Sequence, residues 1–236
     1  LIPLEGASWR LSPKTILLLI ALVLASNWLT YTLFVGGNNV QEVGHTSEGL
    51  YLLDQAKPYL YDATAFEKKV RKVSYDLAVP PEWLMAVMHS ESRFDASVAN
   101  HKGSGATGLI QWMPATAKDM KVTVEKLRNM NHVQQLDYVY TYLNQKRKQY
   151  HDYRSLTDVY LAILYPKAMG ENYCYTLYAA PSKEYEMNKG LDINKDKRVT
   201  VQDIDERMKK KYKTAYQTEN TPSLYRRVVT SLSFGQ

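Results

Sequence analysis

Cysteine is almost missing from this chain. The single Cys174 cannot close an intramolecular disulfide and cannot by itself build a thiolate zinc site, so both architectures are excluded. The redox compartment is left open. Phenylalanine is scarce too, four residues against nineteen tyrosines, and amphipathic rings suit sugar faces and interfaces as readily as ordinary cores. No glycine loop of the phosphate-cradling kind occurs. The basic runs at Lys146, Arg147 and Lys148 and at Lys209, Lys210, Lys211 and Lys213 lack interleaved base-stacking aromatics, so nucleic acid is not an expected partner. A solvated helix face is the ordinary account of such runs, and attraction to anionic glycan peptides or lipid headgroups is the functional one. Internal repeats and long low-complexity tracts are absent, and no window shows several turns of strict apolar alternation.

What is present is the composition of a folded chain. At 45% hydrophobic and 23% charged, with 30 basic against 24 acidic residues and a net charge of +6, the sequence is not that of a disordered protein. At about 150 residues per domain, 236 residues give one domain with a small attachment. The chain begins at Leu1 rather than Met, so an upstream piece is expected to have been removed or to lie outside this sequence.

The attachment is visible at the N-terminus. Residues 15–35, TILLLIALVLASNWLTYTLFV, carry no charge over twenty-one positions, and about 20 apolar residues suffice to cross a bilayer as a helix. Trp9, Trp28 and Tyr31 sit where aromatic belts occur. Arg10 and Lys14 flank only the N-terminal side, which places that end in the cytoplasm. Residues 1–36 therefore read as a tail and transmembrane helix, a cleaved signal peptide and a buried core helix being the alternatives. Residues 37–50 are Gly- and Asn-rich without helical period and read as a linker, and 51–236 as the folded domain.

Within that domain apolar residues recur at helical spacing: Phe66, Val70, Val73 and Leu77; Leu84, Val87 and Met88; Val133, Leu136, Val139 and Leu143. The expected class is all-α. Pro81, Pro114, and Ser155 or Thr157 mark helix starts. Glu91 falls at i+7, i+4 and i+3 from Leu84, Val87 and Met88, on their apolar stripe. A carboxylate there loses hydration and its pKa rises, which is what a general acid near neutral pH requires. A glutamate swinging into solvent at a frayed helix end is the plain alternative.

Glu91 opens the segment ESRFDASVANHKGSGATGLIQWMPATA, whose glycines permit close backbone approach. This segment resembles the signature of lytic transglycosylases of the soluble, goose-lysozyme-like family: Glu91-Ser92, Phe94, Ala106, Gly108-Leu109-Ile110-Gln111, Met113-Pro114 and Thr116-Ala117 fall in the family's order. NHVQQLDYVYTYLNQ is similar to the helix that follows. YLAILYPKAMG stands where the family has Ala-Tyr-Asn-Ala-Gly, with Tyr165 matching the tyrosine and Pro166 replacing the asparagine, a form resembling phage-borne relatives. TPSLYRRVV resembles the closing element loosely, with Tyr225 as its tyrosine.

The resemblance implies a lysozyme-like helical domain that cleaves the β-1,4 bond between N-acetylmuramic acid and N-acetylglucosamine in peptidoglycan. Glu91 acts first as acid and then as base, and the muramic acid's own 6-hydroxyl gives a 1,6-anhydro end. Ser92 orients substrate or the glutamate, and Gln111, Tyr165 and Tyr225 line the glycan groove. A second carboxylate, as in two-carboxylate glycosidases, is not required; Asp95, at i+4, reads as a loop cap. No cofactor is expected for catalysis. The setting implied is local wall opening by a phage or an envelope machine, with the enzyme domain periplasmic and membrane-anchored through 15–35, or in a phage virion, among other virion or envelope proteins. Two alternatives stay open: a structural virion or envelope component that binds glycan with little activity, and a hydrolytic muramidase.

A second constellation lies at 192–203. Asp192, Asn194, Asp196, Arg198, Thr200 and Asp203 occupy positions 1, 3, 5, 7, 9 and 12 of a twelve-residue loop, an oxygen-ligand pattern for calcium in which Arg198 serves through its carbonyl. The segment resembles an EF-hand or dockerin-type loop. Lys197 replaces the turn glycine and Asp203 the longer glutamate. Bound calcium would be structural.

Overall fold

The computed structural model describes residues 49–100 and 104–218. The apolar run 15–35, linker residues 37–48 and Tyr225 lie outside them. Among the described residues no helix is long and apolar enough to cross a membrane.

The helices in chain order are α1 (Leu53–Ala56), α2 (Ala63–Leu77), α3 (Pro81–Ser92), α4 (Pro114–Asp119), α5 (Val124–Arg128), α6 (His132–Gln149), α7 (Leu156–Leu164), α8 (Lys183–Asn188), α9 (Val201–Lys211) and α10 (Lys213–Gln217). Two strands, β1 (Thr176–Ala179) and β2 (Arg198–Thr200), are present among the described residues. They pair antiparallel, with Thr176 opposite Thr200 and Ala179 opposite Arg198. The expected all-α class is therefore mostly met, with this ribbon as the addition. Strands of four and three residues are too short to show alternation in sequence, and Leu177 and Val199 alone turn inward.

Local chemistry accounts for the helix ends. Asp62 caps α2 through Ala65 N at 2.9 Å. Pro81 occupies the first position of α3 and Pro114 that of α4, where no N–H is needed. Asn131 and Gln134 form a capping box on α6, and Ser155 caps α7. After Tyr165, Pro166 starts a short 3₁₀ turn in place of further α-helix.

Helix α2 buries Phe66, Val70, Val73 and Leu77 and packs on α6 and α3. The stripe read for α3 is too narrow: every residue from Trp83 to Met88 is buried. A helix apolar on all sides runs through the core of a domain, and α3 is held by α2, α7 and α10. Its last turn, carrying Glu91, emerges from that core.

Candidate active site

Two consecutive residues in the left-handed region end α3, Arg93 at φ 53° and Phe94 at φ 68°. Non-glycine residues rarely occupy this region. Phe94 is fully buried edge-on against Phe66, and its carbonyl is 2.7 Å from His132 Nε2 at the start of α6. These contacts turn the chain sharply after Ser92 and leave Glu91 at the mouth of the following loop.

That loop is clasped from two sides. Ser92 is buried, and its hydroxyl lies 3.1 Å from the Met88 carbonyl and 3.0 Å from that of Leu109. Gln135, wholly buried on α6, accepts from Leu109 N at 2.9 Å and donates to the carbonyls of Ala96 and Leu127 at 2.6 and 2.7 Å. Gly108 must be glycine here: its φ is +78°, and a Cβ would stand 2.6 Å from Gln135 Oε1. Asp95 turns away from the site and accepts from Ser97 N and Oγ at 2.8 and 2.7 Å, the loop-capping role read from its position.

Glu91 is partly exposed, yet burial of its carboxyl group pushes its pKa from 4.5 up to about 7. Three groups oppose that rise. Tyr160 of α7 lies within hydrogen-bond reach of the carboxyl, and Lys211 and Arg207 of α9 favour the charged form electrostatically. Ser90 is within hydrogen-bond reach of both Tyr160 and Tyr212, and the Tyr212 hydroxyl is 3.0 Å from His89 Nδ1. Glu91 thus ends a polar chain of Tyr160, Ser90, Tyr212 and His89 set against apolar walls. Burial, with Lys211 and Arg93 behind it, lowers the His89 pKa and so favours the neutral ring.

Residues 69–165 match the family model described as Transglycosylase SLT domain. This segment is similar to a transglycosylase SLT domain. No curated protein matches it. The SLT segment begins inside α2, includes α3, the glycine loop and α4 to α6, and closes on Tyr165 after α7. The β-ribbon, α9 and α10 lie beyond it, although Arg207 and Lys211 act on Glu91.

The other residues singled out in the sequence are placed as follows. Ser92 spends its hydroxyl on the SLT loop, so its direct contribution is to fix that loop. Gln111, at φ 53°, directs its amide nitrogen to the carbonyls of Gly108 and Val98 at 3.1 and 3.4 Å. Tyr165 is partly exposed and joins an aromatic group with Tyr175 and Tyr178, centroids 6.5 and 5.6 Å away. Sequence reading did not single out Gln135, Tyr160, Ser90, Tyr212, Arg207 or Lys211 as site residues. The available signal was polarity on an inward face, as with Gln135 one position before the core residue Leu136.

The loop at 192–203 is folded tightly on itself. Asp192 Oδ2 accepts from Tyr185 Oη at 2.8 Å and Lys197 N at 3.0 Å. Asn194 and Asp196 each accept from the backbone two residues on, at 3.1 and 2.8 Å. Lys195 and Lys197 have φ of 60° and 69°, so Lys197 takes the turn without glycine. Asp203 spends both oxygens at the start of α9, on Ile193 N at 3.0 Å and on Thr200 N and Oγ1 at 2.8 and 2.6 Å. Among the described residues no group of three or more His, Cys, Asp or Glu side chains gathers into a metal-binding arrangement. One oxygen stands out: Asp192 Oδ1 is buried without a donor.

Proposed function

We propose that this chain cleaves the β-1,4 MurNAc–GlcNAc bond of peptidoglycan with Glu91 as the sole acid and base, leaving 1,6-anhydromuramic ends. The observation that carries this reading is the burial of the Glu91 carboxyl group at the end of α3, which pushes its pKa up to about 7. A carboxyl group poised there holds its proton for the leaving glycosidic oxygen at neutral pH. Its conjugate base, favoured by Tyr160, Arg207 and Lys211, then accepts the proton of the muramyl 6-hydroxyl as that oxygen attacks the anomeric carbon. The proton returns to Glu91 within one turnover, so the Tyr160–Ser90–Tyr212 chain is needed to hold the carboxyl rather than to resupply it. With Asp95 turned onto Ser97, no second carboxylate beside Glu91 is assigned to a two-carboxylate mechanism. Tyr165, Tyr175 and Tyr178 offer aromatic faces suited to sugar rings.

The apolar run 15–35 supports an anchored enzyme with its domain in the periplasm, or a place in a phage virion. Protease added to spheroplasts should then reach the domain. Protection of the domain would reverse the orientation. Pro166, standing where the family has asparagine, favours the rival reading of a glycan-binding structural component. Product analysis separates the two, because the rival releases no glycan.

Calcium is proposed as a structural ion. Asp192, Asn194, Asp196, the Arg198 carbonyl and Asp203 would hold it. The supporting observation is the buried, donor-free Asp192 Oδ1; against it, Asp203 would have to exchange hydrogen bonds at the α9 cap. Bound there, the ion would supply charge neutralisation and no chemistry.

A further inference from the structure

Helix α9 is amphipathic, with Ile204 and Met208 fully buried. Arg207 and Lys211 fall at i+3 and i+7 from Ile204, on the flank of the buried stripe, with Arg207 half-buried and Lys211 exposed. The helix is seated firmly. Asp205 accepts from Thr157 Oγ1 on α7 at 2.7 Å and from Tyr216 Oη at 2.8 Å. Helix α7 is the one whose Tyr160 bonds Glu91.

Among the described residues neither cation is paired with a carboxylate. The ion pairs among the described residues engage Lys57, Lys69, Arg71, Lys72, Arg147 and Lys189. Arg207 has none, and its Nε is buried without an acceptor. An uncompensated guanidinium donor of that kind is costly to maintain in a free protein. The Lys211 ammonium lies 5.1 Å from the Tyr212 ring centre, and Arg93 stands within electrostatic reach of it. Two cations, Arg207 and Lys211, therefore act on the Glu91 carboxyl group, and Arg93 stands near the second of them.

These cations favour the ionised Glu91, yet they act against the charge that develops on the sugar unless an anion joins them. Glycoside cleavage builds positive charge on the sugar ring, and unopposed cations nearby raise that barrier. An anion carried by the substrate removes the conflict and satisfies the Arg207 donor. Resting on the transglycosylase reading above, we propose that Arg207 and Lys211, with Arg93 at the rim, form a subsite beside Glu91 for a carboxylate of the muramyl residue being cleaved. Two groups can supply it: the lactyl carboxylate of muramic acid freed of its stem peptide, or a carboxylate on the stem itself. Neutral chito-oligosaccharides supply neither.

Binding and turnover test the subsite separately. In calorimetry with the full chain carrying Glu91→Gln, stem-free glycan with free lactyl carboxylates is compared with the same glycan amidated at those groups and with stem-bearing glycan. The expected result is about tenfold tighter binding to a carboxylate-bearing glycan than to the amidated one, the worth of one charge-assisted contact. Preference for stem-free glycan identifies the lactyl group as the source, and preference confined to stem-bearing glycan identifies the stem. Adding Lys211→Gln, an exposed change that leaves packing intact, or Arg207→Gln should bring the ratio toward one, and Arg207→Lys should restore part of it. Equal binding to all three glycans, or a ratio unmoved by both glutamine variants, overturns the subsite. Turnover by the Glu91 parent is read alongside: equal kcat/KM on amidated and free glycan overturns the subsite while leaving the enzyme reading intact. Charge-dependent binding without cleavage upholds the subsite and removes the enzyme reading.

Discussion

The Tyr160 hydroxyl stands within hydrogen-bond reach of the Glu91 carboxyl group, linking α7 to the last turn of α3 at the point where the proposed chemistry occurs. Because the bond favours the ionised carboxyl, it offsets part of the pKa rise caused by burial, and Tyr160 is itself too deeply buried to ionise at ordinary pH.

Tyr160→Phe should move the apparent pKa of Glu91 upward and reduce kcat by about tenfold, since a charge-assisted bond to the developing carboxylate is lost. The shift would be read in the pH profile of kcat/KM. An unmoved profile would mean that the bond has no part in the reaction.

Stability should depend on pH through Glu91. Burial raises its pKa from 4.5 to about 7, so the folded chain binds that proton more tightly than the unfolded chain. The associated stability is complete below 4.5 and is lost as pH rises through 7, by on the order of 3 kcal/mol. Glu91→Gln carries no such dependence. Its Tm should match the parent at about pH 4 and exceed it at about pH 9. Parallel melting curves across that range would count against a buried carboxyl.

Gly108→Ala should destabilise the domain by about 2 kcal/mol or more, through a strained φ and a displaced Gln135. Gly190 has nothing within 4 Å of an added Cβ, so Gly190→Ala is the matched control and should be near neutral. Urea denaturation of both variants tests the clasp. Equal midpoints would show that the loop relaxes around the methyl.

If calcium occupies 192–203, the Tm of the full chain should rise with free ion as RT ln(1 + [L]/Kd), about 2.7 kcal/mol at a hundredfold excess over Kd. Asp192→Ala should abolish the response, and activity in excess chelator should match the parent. A Tm indifferent to millimolar calcium would remove the ion from the account.

Much of the fold was readable because it rests on short-range rules. The Phe66–Val70–Val73–Leu77 spacing, the prolines at helix starts and the Ser155 cap each act within a turn or two of their own position. Glu91 was readable for the same reason, as a carboxylate in step with apolar neighbours. What escaped depends on contacts distant in sequence. Gln135 reaches Leu109 across 26 positions and Arg207 approaches Glu91 from a helix beyond the matched segment, so no local pattern announces either. The β-ribbon was hidden because Thr176 and Thr200 pair through backbone groups that any sequence supplies.

Mass spectrometry of the fragments released from purified sacculi by the full chain, with Glu91→Gln alongside, tests the central claim most directly. Muropeptides ending in 1,6-anhydromuramic acid are expected, each lighter by one water than a hydrolytic product, with release lowered by about 10² to 10⁴ in the variant. Reducing ends, no release by the parent, or undiminished release by Glu91→Gln would contradict it.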